Sequence, residues 1–228
     1  MLTIQNQTAR KILRVAIPFL VIPGLVILSE VVFDERKHLF VSFSVAILSV
    51  LLFIAGFEKK AIGTRRMVIV AVMIALSVVG RFIPFFKPVT AITVITAIWL
   101  GGESGFLVGS FSALLSNFYF GQGPWTPFQM LAWGLIGLFA GFLANPLRKS
   151  RICLYLYGVL SGIAYSFIMD VWTVLGQYDA FNWKLYLTAL GTALPYTVLY
   201  SISNFIFLWF MAKPFGEKLN RIKIKYGV

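Results

Sequence analysis

Eight apolar segments, near residues 12–29, 38–56, 67–85, 88–101, 104–120, 127–145, 152–176 and 185–212, leave little chain between them except turns and basic clusters. A helix needs about 20 apolar residues to cross a hydrocarbon core, so the pattern predicts repeated membrane crossings. The 228-residue chain is 59% hydrophobic and 12% charged, more apolar than one soluble core requires, and the expected fold is an all-α integral membrane protein. The fourth segment is short and rich in β-branched residues. It predicts a tilted or partly re-entrant helix whose backbone is shielded by neighbouring protein.

The net charge of +12 does not mark a nucleic-acid binder, because the cations sit in short clusters between apolar runs. With the N-terminus in the cytoplasm, fifteen Lys and Arg fall on the inner side of the spans and five on the outer side. That asymmetry places both termini inside a cell membrane. Segments 81–88, 121–126 and 177–184 then face outward together. The N-terminal 28 residues, with Arg10, Lys11 and Arg14 ahead of an apolar stretch, are read as a retained helix in preference to a cleaved leader, since no small-x-small site precedes Glu30. A charged linker, Glu58 to Arg66, divides two accessory N-terminal spans (1–60) from a six-helix domain with a short basic tail (61–228).

Catalytic and metal chemistry find little support. No G-x-x-x-x-G-K-[S/T] phosphate loop occurs, so ATP-driven work needs a partner. The single histidine, His38, lies at a span edge, and the single cysteine, Cys153, reads as a packing residue. One acid, Asp170, lies well inside an apolar run, roughly 9 Å from the outer end of its helix. An intramembrane charge costs about 2.5–3.5 kcal/mol on insertion scales, so Asp170 needs a partner or a function. Arg81 sits at similar depth and is one candidate partner; water, Ser166 and Thr173 are the others. Pairs four residues apart, Gly105 and Gly109, Gly137 and Gly141, Gly158 and Gly162, predict close helix packing inside the bundle. Ala71 and Ala75 repeat the spacing on the third span.

The segment GQGPWTPFQM, residues 121–130, cannot continue a helix through Gly121, Gly123, Pro124 and Pro127. It carries more aromatic and amide groups than a connector requires. Together with the other outer segments it defines a candidate binding mouth. Phe82, Phe85, Phe86, Trp125, Trp133, Trp172, Tyr178 and Trp183 supply flat surfaces, and Asn117, Gln122, Gln129 and Asn182 supply amides. Arg81, Lys87 and Asp170 supply charge. Bilayer-interface anchoring produces similar aromatic composition, so a membrane scaffold and an ion-coupled carrier using Asp170 stand beside a ligand-binding subunit.

AVMIA at the start of the six-helix core, the segment RFIPFFKPV and the run GGESGFLVGSFSALLSNFYFGQGPWTPFQMLAWGLIGLFAG resemble a substrate-binding S component of an energy-coupling factor (ECF) vitamin transporter, over about residues 64–212. The resemblance implies a non-enzymatic subunit with no cofactor of its own. It implies capture of a vitamin from outside and docking on a transmembrane coupling protein driven by two cytoplasmic ATPases. It also implies that Ala71 and Ala75 belong to the docking face and that residues 81–87 form a lid-like loop. The Gln-Gly-Pro-Trp variant is similar to members assigned to cobalamin or its precursors; riboflavin and queuosine precursors are the alternatives. The two N-terminal spans depart from the six-helix plan.

Overall fold

The computed structural model describes residues 7–32, 38–55, 60–177 and 181–226, and among these every regular element is helical. Helix α1 (Gln7–Ala16) passes through a π-helical turn (Ile17–Val21) into α2 (Ile22–Val32), so the first span is one continuous rod. Pro18 and Pro23 each remove a backbone donor here, and a π turn is a common way for a helix to absorb such gaps. The chain continues through α3 (His38–Ala55), α4 (Lys60–Gly80), α5 (Val89–Leu100), α6 (Gly102–Phe120), α7 (Trp125–Phe142), the short α8 (Ala144–Lys149), α9 (Arg151–Gln177) and α10 (Trp183–Tyr226). Each expected apolar segment falls on one of these helices. Three stretches, Thr8–Leu28, Arg151–Leu175 and Trp183–Tyr226, are individually long and apolar enough to cross a membrane.

The helices run up and down between two ends. The upper end carries the 81–88 segment and the 121–124 turn; the lower end carries the α5–α6 corner and α8. Helix α5 is only 12 residues, about 18 Å, which is shorter than a hydrocarbon core. It survives because its neighbours enclose it, and all its residues except Trp99 are buried. This is the protein-shielded short helix expected from the sequence. The corner that follows is a single residue, Gly101, whose φ of 94° excludes most side chains.

The seam between α6 and α7 explains the glycine spacing. A Cβ on Gly137 would strike the backbone of Gly105, one on Gly141 would strike Gly102, and one on Gly109 would strike the Trp133 carbonyl group. Close backbone approach is therefore built into this pair. On α9, Gly158 and Gly162 serve α10 in the same way: Asn204 Nδ2 donates to the Gly158 carbonyl at 3.0 Å, and a Cβ on Gly162 would meet Ser201.

Two features differ from expectation in extent. Helix α10 does not stop near residue 212; it continues to Tyr226 despite Pro195 and Pro214, giving about 66 Å of helix. Its lower part is tied down, with Arg65 Nη1 donating to the Tyr226 carbonyl at 2.9 Å and Lys223 Nζ reaching the Trp99 carbonyl at 3.5 Å. The N-terminal helices are also packed onto the bundle. Phe19 meets Phe139 and Phe142 at centroid distances of 5.7 and 6.5 Å, and Arg14 forms an ion pair with the buried Glu103 at the start of α6.

Candidate functional site

At the upper end, the first residue of the 81–88 segment turns a cation inward. Arg81 is buried, and its Nη1 donates to Ser116 Oγ and to Asn117 Oδ1, the latter at 2.7 Å. Asn117 passes the chain on: its Nδ2 donates to Thr126 Oγ1 at 2.9 Å and to Gln129 Oε1 at 2.8 Å. Gln129 Nε2 then donates to the buried Tyr165 hydroxyl at 3.1 Å. The guanidinium lies 5.2 Å from the centre of the Trp133 ring and 5.0 Å from that of Phe120. Trp133 stacks on Tyr165 at 5.0 Å with 20° between ring planes, and Tyr200 meets Tyr165 edge-on at 5.2 Å.

These groups border a cavity of about 80 Å³, whose polar wall includes Arg81, Lys87, Gln129, Tyr165, Ser203 and Asn204. Lys87 closes its rim. Its Nζ donates to the Arg81 carbonyl at 2.7 Å, and its backbone N–H donates to Ser203 Oγ at 2.8 Å. Burial, and then the neighbouring Arg81 charge, hold the Lys87 ammonium below the usual lysine range. The segment is bent sharply enough that Phe85 takes a φ of 61°, which is uncommon for a bulky side chain.

Arg81 has no carboxylate partner among the described residues. Its bonds run to neutral oxygens and its faces to aromatic rings, and Nε is buried with no hydrogen-bond partner. The ion pair considered for Arg81 and Asp170 does not form. Asp170 instead accepts from Ser166 Oγ at 3.5 Å, and Thr197 donates to that same Ser166 hydroxyl at 2.6 Å. A buried cation without a counter-charge is costly unless a ligand completes it.

The other sequence candidates spread across the upper end. Arg81, Lys87, Gln129 and Trp133 line the cavity, and Asn117 bonds two of them. Phe82 joins an outer ring cluster with Tyr119 and Phe120, at 4.6 and 5.0 Å. Phe85 is 75% exposed and Phe86 half-buried on the segment itself. Gln122 Nε2 donates to the Leu114 carbonyl at 2.9 Å, and Trp125 packs on Trp172 at 5.7 Å with its ring under Gly123; neither lines the cavity. Asn182 Oδ1 accepts from the backbone of Lys184 and Leu185, which makes it the cap of α10, while Trp183 is 71% exposed against Phe181 and Tyr186. Tyr178 lies outside the described residues. Tyr165, Tyr200, Ser203 and Asn204 were missed because they sit inside spans; tyrosine and asparagine deep in an apolar helix were the available signal. Ala71 and Ala75 are both exposed, on an α4 face that also exposes Val68, Val72 and Val79.

Residues 61–213 match the family model described as "ECF-type riboflavin transporter, S component". The chain belongs to this family. It is a transport subunit of a multi-pass membrane protein type, not an enzyme, and the match covers the six-helix part while leaving the α1–α3 region outside it. No curated protein and no solved structure matches the chain.

Proposed function

We propose that this S component captures a flat heteroaromatic vitamin of the riboflavin class in the Arg81 pocket, at an upper end that faces outside the cell. The observation carrying this reading is a buried arginine with no carboxylate partner among the described residues, beside the stacked Trp133–Tyr165 pair. Such a wall suits a planar ring system with carbonyl and ring-nitrogen acceptors. Arg81 and the Gln129 amide, both held from behind by Asn117, would meet its polar edge, and the aromatic faces would take its plane. The family's description, which names riboflavin, supports the same choice.

Cobalamin is the second reading, favoured by the Gln-Gly-Pro-Trp run at residues 122–125. Riboflavin and a corrin both exceed a cavity of about 80 Å³, so either needs the 81–88 segment to move, and the much larger corrin needs the 121–124 turn to swing clear as well. A queuosine precursor, smaller and flat, would require less. Energy comes from a transmembrane coupling protein and two cytoplasmic ATPases, docked on the α4 face that carries Ala71 and Ala75. The exposure of that face and its small residues support the assignment. Both termini lie in the cytoplasm on this reading, as the charge asymmetry implies.

A thermal-shift panel on purified protein with riboflavin, cobalamin and a queuosine precursor tests the ligand. Saturable stabilisation by riboflavin, absent with cobalamin, is the expected outcome. Stabilisation by cobalamin with none by riboflavin transfers the site to the corrinoid reading. Co-purification with the coupling protein and ATPases, lost in Ala71→Trp with Ala75→Trp, tests the docking face independently.

A further inference from the structure

At the lower end, α8, α9 and α10 enclose a second cavity of about 310 Å³ that the vitamin reading does not use. Its walls combine Arg148, Arg151 and Lys213 with Trp99, Tyr155 and Trp209. Glu217 is the one carboxylate in the lining, so cations dominate it. Arg148 is held in place by three contacts: its guanidinium lies 5.5 Å from the centre of Trp99, Nε donates to the Ala144 carbonyl at 3.3 Å and Nη2 donates to Asn145 Oδ1 at 2.9 Å. Arg151 and Lys213 form no ion pair among the described residues.

The same two long helices carry an apolar crevice of about 520 Å³ higher up, lined by Val159, Ile163, Leu194, Val198, Ile202 and Phe205 among others. The two spaces adjoin. Tyr155 and Val159 are one turn apart on α9, as are Trp209 and Phe205 on α10. The Tyr155 and Phe205 rings meet at 5.2 Å, and Phe205 lies 6.4 Å from Trp209. A basic, indole-lined pocket at a helix end thus lies one helical turn below an apolar groove between the same two helices, with the Tyr155 and Phe205 rings at the junction.

We propose that this groove holds one anionic phospholipid, with its phosphate among Arg148, Arg151 and Lys213 and an acyl chain in the α9–α10 crevice. Basic pockets between spanning helices recognise anionic headgroups electrostatically. A free phosphate would use the cations and ignore the crevice. An acidic peptide from a partner would use the cations too, yet an apolar groove running into the membrane gives it nothing. The lipid uses both. It belongs to the cytoplasmic leaflet in the proposed orientation, though the site itself does not depend on that orientation or on the vitamin.

Delipidated protein in detergent is titrated with dioctanoyl phosphatidylglycerol, dioctanoyl phosphatidylcholine and inorganic phosphate, with thermal stability and native mass spectrometry as readouts. Phosphatidylglycerol is expected to bind saturably at one copy per chain and to stabilise the protein, with the other two far weaker. The triple variant Arg148→Gln, Arg151→Gln and Lys213→Gln is expected to weaken that binding by about tenfold or more. Ile202→Trp, which fills the crevice, is expected to weaken phosphatidylglycerol and leave vitamin binding intact. Equal response to the two lipids, or full stabilisation by phosphate alone, overturns the proposal on wild-type protein without any variant. So does a triple variant that binds phosphatidylglycerol normally. If that variant also loses the coupling protein, the groove is a protein dock instead.

Discussion

Arg66 and Arg81 mark the two ends of α4, the first inside its lower end and the second just past its last residue, and their surroundings are opposite in kind. Arg66, at the lower end, shares a cleft with Glu103, which also pairs with Arg14, and its Nε donates to Ser104 Oγ at 2.9 Å. Arg81, at the upper end, bonds only neutral oxygens among the described residues and faces aromatic rings, and its charged neighbour is a second cation, Lys87. Charge is neutralised locally where α1 and α4 are fastened to the α5–α6 corner. It is left open where a cavity borders it. On the proposed reading, a buried cation with no carboxylate partner among the described residues marks the end of the bundle that a ligand completes.

Replacing Arg81 breaks the comparison most severely. Hydrogen bonds to charged groups contribute about 1.5–3 kcal/mol each, so Arg81→Ala is expected to weaken vitamin binding by about 100-fold or more in calorimetry. Thermal stability of the empty protein should hold or rise, because an uncompensated buried charge has been removed. Arg81→Lys should not rescue binding, since an ammonium cannot reproduce the planar fork. The mirror experiment is Glu103→Gln, which removes the carboxylate that pairs with Arg14 and shares a cleft with Arg66. It is expected to lower unfolding stability by about 2 kcal/mol, discounted for the exposure of Arg14, with vitamin affinity nearly unchanged. If the two substitutions exchange effects, the assignment of the ends is reversed.

A smaller effect is expected from Asn117→Leu, which cuts the relay between Arg81 and Gln129: about tenfold weaker binding, with retained folding, measured by titration. Asp170→Asn keeps the shape beside Ser166 and Thr197 and should leave binding and ATP-driven uptake within about twofold. Uptake that collapses in this variant and follows the proton gradient would favour the ion-coupled carrier. The subtlest readout is pH. Because burial holds Lys87 below the lysine range in the folded protein, the unfolded chain binds more protons across the alkaline window beneath the ordinary value. Stability therefore rises with pH through that window, and Lys87→Met should remove the slope in chemical denaturation.

The helical bundle was legible because every constraint on it is local in sequence. Apolar runs set the spans, and Gly105, Gly109, Gly137 and Gly141 announced the α6–α7 seam by spacing alone. The site was legible only where polar residues stand at helix ends. Arg81, Lys87, Asn117 and Gln129 were found that way, and Trp133 through its place beside the turn. Tyr165, Tyr200, Ser203 and Asn204 lie on α9 and α10, far from the turn in sequence, and only packing brings them to the cavity. Gln122 and Trp125 show the converse. Their composition looked like a binding surface, while their contacts with Leu114 and Trp172 secure the turn itself. The persistence of α10 to Tyr226 was hidden because its anchors, Arg65 and Trp99, belong to distant helices.

Flavin fluorescence gives the most direct test of a site centred on Arg81 and Trp133. A flavin ring stacked on indole or phenol loses its emission, so adding protein to riboflavin reports both binding and position. The expected result is one-to-one quenching that disappears in Trp133→Leu and survives in Trp125→Leu. Quenching that disappears in Trp125→Leu and survives in Trp133→Leu, or no quenching at all by well-folded protein, would contradict it.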